Sequence, residues 1–330
     1  MRVISLLRVI AGLSLAASLA APSPALSASE SGPGKTYLLA VGVCPPYRQD
    51  FPSAVCKTAV DAVVANFSDA LGIGKTDIVA LTDKDATGAG FLAALADLRT
   101  RLTAADRLIV YLNAHGDTFG LWSGYYGAGG AIGEINARFY DPDEYVLVFW
   151  TKDEPTVPAL ALAQKDWLTV EEVVDAIDAL PAKVALILDS CSSGRAFSSM
   201  HLNVKESPRI DFVLASAGFE QISNINLART MPLFTEQLVN ALNLPMVSEF
   251  GQAVAHARMT TVLQAAALCS TMIIPVATFA QMFPGVPVPA EATHDKMVSP
   301  PMWLCVQVPS VADFSGKMSA LPLYRKAEPE

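Results

Sequence analysis

Apolar positions fall in blocks along this chain, and the period changes from block to block. "KTYLLAVGV" (Lys35–Val43) is a continuous apolar run that predicts a buried strand. After a loop marked by Pro45, Pro46 and Pro52, "AVCKTAVDAVVANFSDAL" (Ala54–Leu71) puts Val55, Ala59, Ala62, Val63 and Phe67 on one side of a helix, closed by Gly72 and Gly74. "DIVAL" (Asp77–Leu81) predicts a second strand and "FLAALADLRTRL" (Phe91–Leu102) a second helix, with Thr87 and Gly88 in the turn before it. "RLIVYLN" (Arg107–Asn113) and "YVLVFW" (Tyr145–Trp150) predict the third and fourth strands. "TVEEVVDAIDAL" (Thr169–Leu180) predicts a helix, with Thr169 and Glu172 at capping-box spacing. Val184–Leu188 and "DFVLASA" (Asp211–Ala217) are strands again, "PLFTEQLVNAL" (Pro232–Leu242) is a helix, and "MWLCVQV" (Met302–Val308) is a late strand. Strands alternating with helices of this length predict βαβ units, an α/β fold and a mostly parallel sheet flanked by helices. One domain is expected over residues 29–308, with a core at 35–242, a divergent part at 243–308 and a polar, peripheral tail at 309–330.

Two apolar stretches need a different reading. Arg2 and Arg8 precede the Ala/Leu-rich run Val9–Ala21, and small residues with a Pro pair follow to Ala28. This is the pattern of a cleavable signal peptide over residues 1–28, so a periplasmic or secreted location is expected. From Met259 to Ala290 no residue is charged, but Pro275 would break a spanning helix near its middle. A buried helix followed by a Pro-rich loop is expected there, not a membrane span.

Composition narrows the function. With 52% hydrophobic and 17% charged residues the chain can build a packed core. A formal charge of −9 argues against nucleic acid as a partner, because that affinity comes largely from phosphate neutralisation.

Open α/β sheets bind ligands beyond the carboxyl ends of their strands, and two strand tips here carry chemistry. In "RLIVYLNAHGDTFG" the third strand is followed by His115 and Gly116. In "VALILDSCSSGRAF" a buried strand runs into Asp189, Ser190, Cys191 and Ser192, and Gly194 closes the tip. A thiol needs a base or an electropositive setting to become a thiolate, and histidine supplies one near neutral pH. On neighbouring strands, His115 and Cys191 would face one another across a cleft. The N–H groups of Gly116 and Cys191 could then form an oxyanion hole.

At these residues the chain resembles the caspase-like cysteine peptidases, the clan of caspases, metacaspases and legumains. Metacaspases and bacterial caspase-domain proteins are the most similar branch. "IVYLNAHGDTFG" and "ALILDSCSSG" resemble the family's His-Gly and Asp-x-Cys-x-x-Gly signatures. "TYLLAVGV", "IVALTDKDATGAGFLAAL", "LTVEEVVDAI", "VLASAGFEQISN" and "PLFTEQLVNAL" resemble the surrounding elements in order, over about Lys35 to Leu242. The resemblance implies a caspase-haemoglobinase-like sandwich and a cysteine endopeptidase acting on a peptide or protein substrate without a cofactor. His115 matches the catalytic histidine, Cys191 the nucleophile and Gly116 the oxyanion-hole glycine. Asp189 matches the carboxylate that reads the substrate residue before the scissile bond, and Asp61 matches a second one. Together they imply cleavage after Arg or Lys. Ser192 stands where the bacterial pattern has His, and "GEINARFYDPDEY" stands as an insertion. Ser198 stands where calcium-dependent members place an Asp ligand, so no metal is expected.

Alternatives stay open: a legumain-like peptidase with Asn/Asp preference, a non-catalytic binding module on the same fold, or a hydrogen-bonding rather than substrate-reading role for Asp189. A thiol-redox role is disfavoured because no Cys-x-x-Cys occurs. The sequence leaves the oligomeric state undefined. Of five cysteines, setting Cys191 aside leaves four, and an oxidising compartment favours pairing. Cys44 with Cys56 and Cys269 with Cys305 is the expected pairing, against four buried free thiols.

Overall fold

The computed structural model describes residues 34–47, 53–120, 143–153, 157–197, 207–276, 297–299 and 305–324. The expected signal segment, most of the insertion and Ser198 lie outside them. The long apolar runs become the centre of a six-stranded sheet because their residues are covered on both faces. The strands are β1 (Thr36–Gly42), β2 (Ile78–Thr82), β3 (Arg107–Asn113), β7 (Lys183–Asp189), β8 (Ile210–Ala215) and β11 (Ser310–Asp313), in the order β11-β8-β7-β3-β1-β2. All neighbours are parallel except β11, which pairs antiparallel with β8. The chain leaves β1 for β2 on one side and then returns to β3 on the other. The carboxyl ends of β1 and β3 therefore flank a topological switch point.

Strand alternation sorts the core into two layers. Leu39, Val41, Val110, Leu112, Leu186 and Leu188 face α2 (Gly88–Arg101) and α4 (Val170–Asp178), where Phe91 and Val173 meet them. Leu38, Ala40, Ile109, Tyr111, Ala185 and Ile187 face the other way. They pack on α1 (Ser53–Leu71), α5 (Leu233–Leu242) and α6 (Phe250–Thr271) through Phe67, Phe234 and Phe250. Phe250 stacks edge-on against both Phe67 and Phe212, with centroids 5.8 Å apart in each pair. The expected capping box starts α4, where the Thr169 side chain and the Glu172 backbone and carboxylate bond reciprocally.

Three expectations are corrected. "YVLVFW" does not join the main sheet. Its strand β5 (Tyr145–Val148) forms a three-stranded antiparallel sheet with β4 (His115–Thr118) and β6 (Trp167–Thr169). Tyr145 and Leu147 face the main core, while Val146 and Val148 meet Phe119 and Trp167. A run apolar on both faces fits either arrangement, so periodicity could not separate them. Residues 302–304 lie outside the described residues, and Cys305–Val308 form no strand. The last strand of the main sheet is β11, inside the segment expected to be a peripheral tail. Its residues are all half-buried, as suits a sheet edge, and they gave no apolar signal. Finally, the uncharged stretch is a helix only to Thr271, and it begins earlier, at Phe250. Its buried stripe includes Ala253, Ala257, Thr261, Ala265 and Cys269, while Met259 and Leu263 are exposed. The Ile274–Pro275 pair continues as β9, facing β10 (Met297–Val298). Helix α3 (Pro158–Ala163) completes the set. Among the described residues no helix is long and apolar enough to cross a membrane.

Candidate functional site

Register builds the site. β3 and β7 are parallel neighbours in which Asn113 lies opposite Asp189. The two tips are also tied directly: Asn113 Nδ2 donates to the Asp189 carbonyl at 2.9 Å, and the Ala114 N–H reaches it at 3.3 Å. β3 ends at Asn113 and β7 at Asp189. His115 and Cys191, the two expected reactive groups, each follow two residues beyond these paired ends. His115 is buried at the start of β4, and Cys191 is half-buried. The Cys191 Sγ accepts the Ser223 N–H at 3.4 Å.

A residue the sequence reading missed joins the pieces. Tyr145 of β5 reaches across, donates its hydroxyl to the Cys191 carbonyl at 2.8 Å and bonds the Ser190 hydroxyl at 2.6 Å. Its path runs over Gly116, where a Cβ would sit 2.3 Å from the Tyr145 oxygen. That close approach explains glycine at 116 by packing alone. Gly194 is held similarly, since a Cβ there would lie 2.7 Å from the Gly218 carbonyl carbon. The backbone between them is taut: Ser192 has φ 54 and gives its N–H to the Gln221 carbonyl at 2.7 Å.

Alternation also decides where Asp189 points. It continues the Ala185–Ile187 face, so it turns toward α5, while Ser190 turns toward Tyr145. Asp189 is 0% exposed. Ser223 donates to one carboxylate oxygen at 2.7 Å and Thr235 of α5 to the other at 2.5 Å. Thr235 in turn bonds Tyr111 at 2.6 Å. Burial pushes the Asp189 carboxyl above the usual carboxylate range, and the Thr235, Ser223 and Ser216 hydroxyls oppose that rise. In this arrangement Asp189 presents no surface to a substrate. Asp61 is not brought to the tips. It lies on the outer face of α1, 62% exposed and paired to Lys57 at 2.7 Å. It sits eight residues into a helix that runs away from the carboxyl ends, about 12 Å along the axis.

A second acid lies against Ser192, the residue after Cys191. Asp117, two residues after His115, accepts the Thr118 N–H at 2.8 Å and a hydrogen bond from the Ser192 side chain. Burial raises its carboxyl to about 6, with Glu220 adding to the rise and the Thr118 N–H, Arg195 and Ser192 resisting it. Arg195 stacks on the Phe219 ring at 4.0 Å and reaches Glu220 at 3.8 Å. The sequence held a signal for Asp117, an acid on the His115 loop, but nothing that showed its burial.

Cys44 pairs with Cys56 and Cys269 with Cys305, each with Cα atoms 5.7 Å apart. Cys191 takes part in neither disulfide. No group of three or more His, Cys, Asp or Glu there could hold a metal ion.

No family model and no curated relative match the chain. Among solved structures it is similar to a Geobacter sulfurreducens protein, with TM-score 0.45 and 14% identity over 67% of this chain and 88% of that one. It is also similar to caspase-1 from Spodoptera frugiperda, with TM-score 0.41 and 12% identity over 86% of each chain.

Proposed function

We propose that this chain is a cysteine endopeptidase in which Cys191 attacks the scissile carbonyl and His115 relays the proton. The observation that supports this reading is the β3–β7 register, which pairs the strand ends that precede His115 and Cys191. In the attack the Cys191 sulfur bonds the carbonyl carbon, and His115 takes the thiol proton. The tetrahedral oxyanion would be met by the Gly116 and Cys191 N–H groups. His115 then passes the proton to the departing amine, and water hydrolyses the acyl-enzyme. Tyr145 and Ser192 brace the nucleophile's backbone against recoil.

The acids around the thiol favour a cationic side chain before the scissile bond: Asp117, Asp189 and Glu220 stand against Arg195. Since Asp189 already holds two hydroxyls, a Lys or Arg has to displace one of them. Export is part of the proposal, because two disulfides suit an oxidising compartment.

The test is a peptide library incubated with purified protein, with Cys191→Ala and His115→Ala beside it. Cleavage after Arg or Lys is expected, with each variant slower by several orders of magnitude. Full activity in Cys191→Ala would sink the assignment. Cleavage after Asn or Asp would replace the basic preference.

A further inference from the structure

The segment Cys305–Val308 has no regular ladder, yet it carries a glutamine with 0% exposure, Gln307. Burying a primary amide is unfavourable unless its donors and acceptor are all used. Here they are. Gln307 Nε2 donates to the Ser216 carbonyl at 2.9 Å and to Ser223 Oγ at 3.3 Å. Its Oε1 accepts the Asn224 N–H at 2.9 Å and Asn224 Nδ2 at 3.5 Å. The contacts are reciprocal: Asn224 Nδ2 donates to the Cys305 carbonyl at 3.1 Å, and the Val308 N–H donates to Gln221 Oε1 at 2.8 Å.

The strip these bonds hold is the one that touches the nucleophile. Ser223 gives its N–H to Cys191 Sγ at 3.4 Å and its hydroxyl to Asp189 at 2.7 Å. An N–H aimed at sulfur stabilises the thiolate over the thiol. The bracing segment is itself fixed at both ends by one helix. Cys305 is bonded to Cys269 of α6, and Arg258 of α6 donates to the Pro309 carbonyl at 3.0 Å.

We propose that Gln307 is a positioning residue that sets the Ser223 N–H against Cys191 Sγ, with the Cys269–Cys305 disulfide holding Gln307 in place. The proposal rests on Cys191 being the nucleophile. A side-chain amide does here what a strand ladder does elsewhere: it fixes one register of the 216–224 strip against the thiol. The C-terminal part of the chain thereby belongs to the catalytic apparatus, although it supplies none of the reacting atoms.

The experiment follows alkylation of Cys191 by iodoacetamide across a pH series, with the site resolved by mass spectrometry, and needs no peptidase activity. In Gln307→Ala the alkylation profile is expected to shift to higher pH, with a rate about tenfold lower on its acid side. Gln307→Glu keeps the volume and the acceptor, and is expected to shift less. Cys269→Ser with Cys305→Ser is expected to shift in the same direction. A folded Gln307→Ala with the wild-type profile overturns the proposal. If that variant does not fold, unchanged profiles in Gln307→Glu and in the disulfide variant overturn it. Hydrolysis that survives Cys191→Ala would remove the peptidase reading while leaving the alkylation result to judge Gln307 alone.

Discussion

Gly116 and Tyr145 show how a single position is decided by its neighbour. A Cβ at 116 would meet the Tyr145 oxygen at 2.3 Å and its ring carbon at 2.9 Å. Gly116→Ala is therefore expected to cost about 1–3 kcal/mol, read as a lowered urea midpoint. Tyr145→Phe removes the hydroxyl and should cost about 1–2 kcal/mol, from lost bonds to Ser190 and Cys191. The double variant should recover part of the glycine cost, since the shorter of the two clashes is gone; strict additivity would contradict the packing account. Asp117 carries the pH prediction. Burial raises its folded pKa from 3.8 to about 6, so the folded protein holds that proton more tightly than the unfolded chain. The resulting stability is present below the ordinary value and is lost as pH climbs through the window from 3.8 to about 6. Asp117→Asn stays neutral throughout. Its urea midpoint should fall less than the wild type's between about pH 4 and pH 7, by the equivalent of roughly 1–2 kcal/mol. Parallel falls in both proteins would show that Asp117 is not the titrating group.

At the scale of elements, the sequence was most legible where local signals and tertiary burial agree. The capping box of α4 is local chemistry, and it forms as spaced. Thr169→Ala should lower stability by about 1 kcal/mol, with the loss seen in thermal unfolding; an unchanged melting temperature would mean the cap contributes nothing. The runs of β1, β3 and β7 were legible because a strand covered on both faces has to be apolar throughout. β4, β6 and β11 were not. They are three or four residues long; β4 carries polar residues at most positions and β11 at half of them. Such strands are specified by the partner they pair with, not by their own composition. β5 was legible as a strand but its sheet was not, since its pairing with β4 and β6 leaves no mark in "YVLVFW".

The whole molecule is held by two crosslinks of different reach. Cys44–Cys56 closes a separation of 12 residues beside the β1 tip, and Cys269–Cys305 closes one of 36. In the loop-entropy account these are worth about 3 and about 4 kcal/mol, so the Cys269→Ser, Cys305→Ser variant should lose more stability than Cys44→Ser, Cys56→Ser. Denaturant titration of the two variants decides the order. The sequence by itself determined the layered α/β sandwich, because alternating apolar runs and amphipathic helices can bury their surface together in few other ways. It also marked the two strand tips, because Asn113–Gly116 and Asp189–Cys191 break long apolar runs with polar side chains and a thiol. Only the tertiary structure decided what stands around those tips. The β3–β7 register pairs Asn113 with Asp189, two residues before His115 and Cys191, and alternation along β7 turns Asp189 under α5 into the hydroxyls of Thr235 and Ser223. Tyr145, Asp117 and Gln307 come from other parts of the chain to the Cys191 carbonyl, Ser192 and Ser223. Their roles depend on contacts between residues distant in sequence, and a one-dimensional pattern carries no record of which distant residues meet.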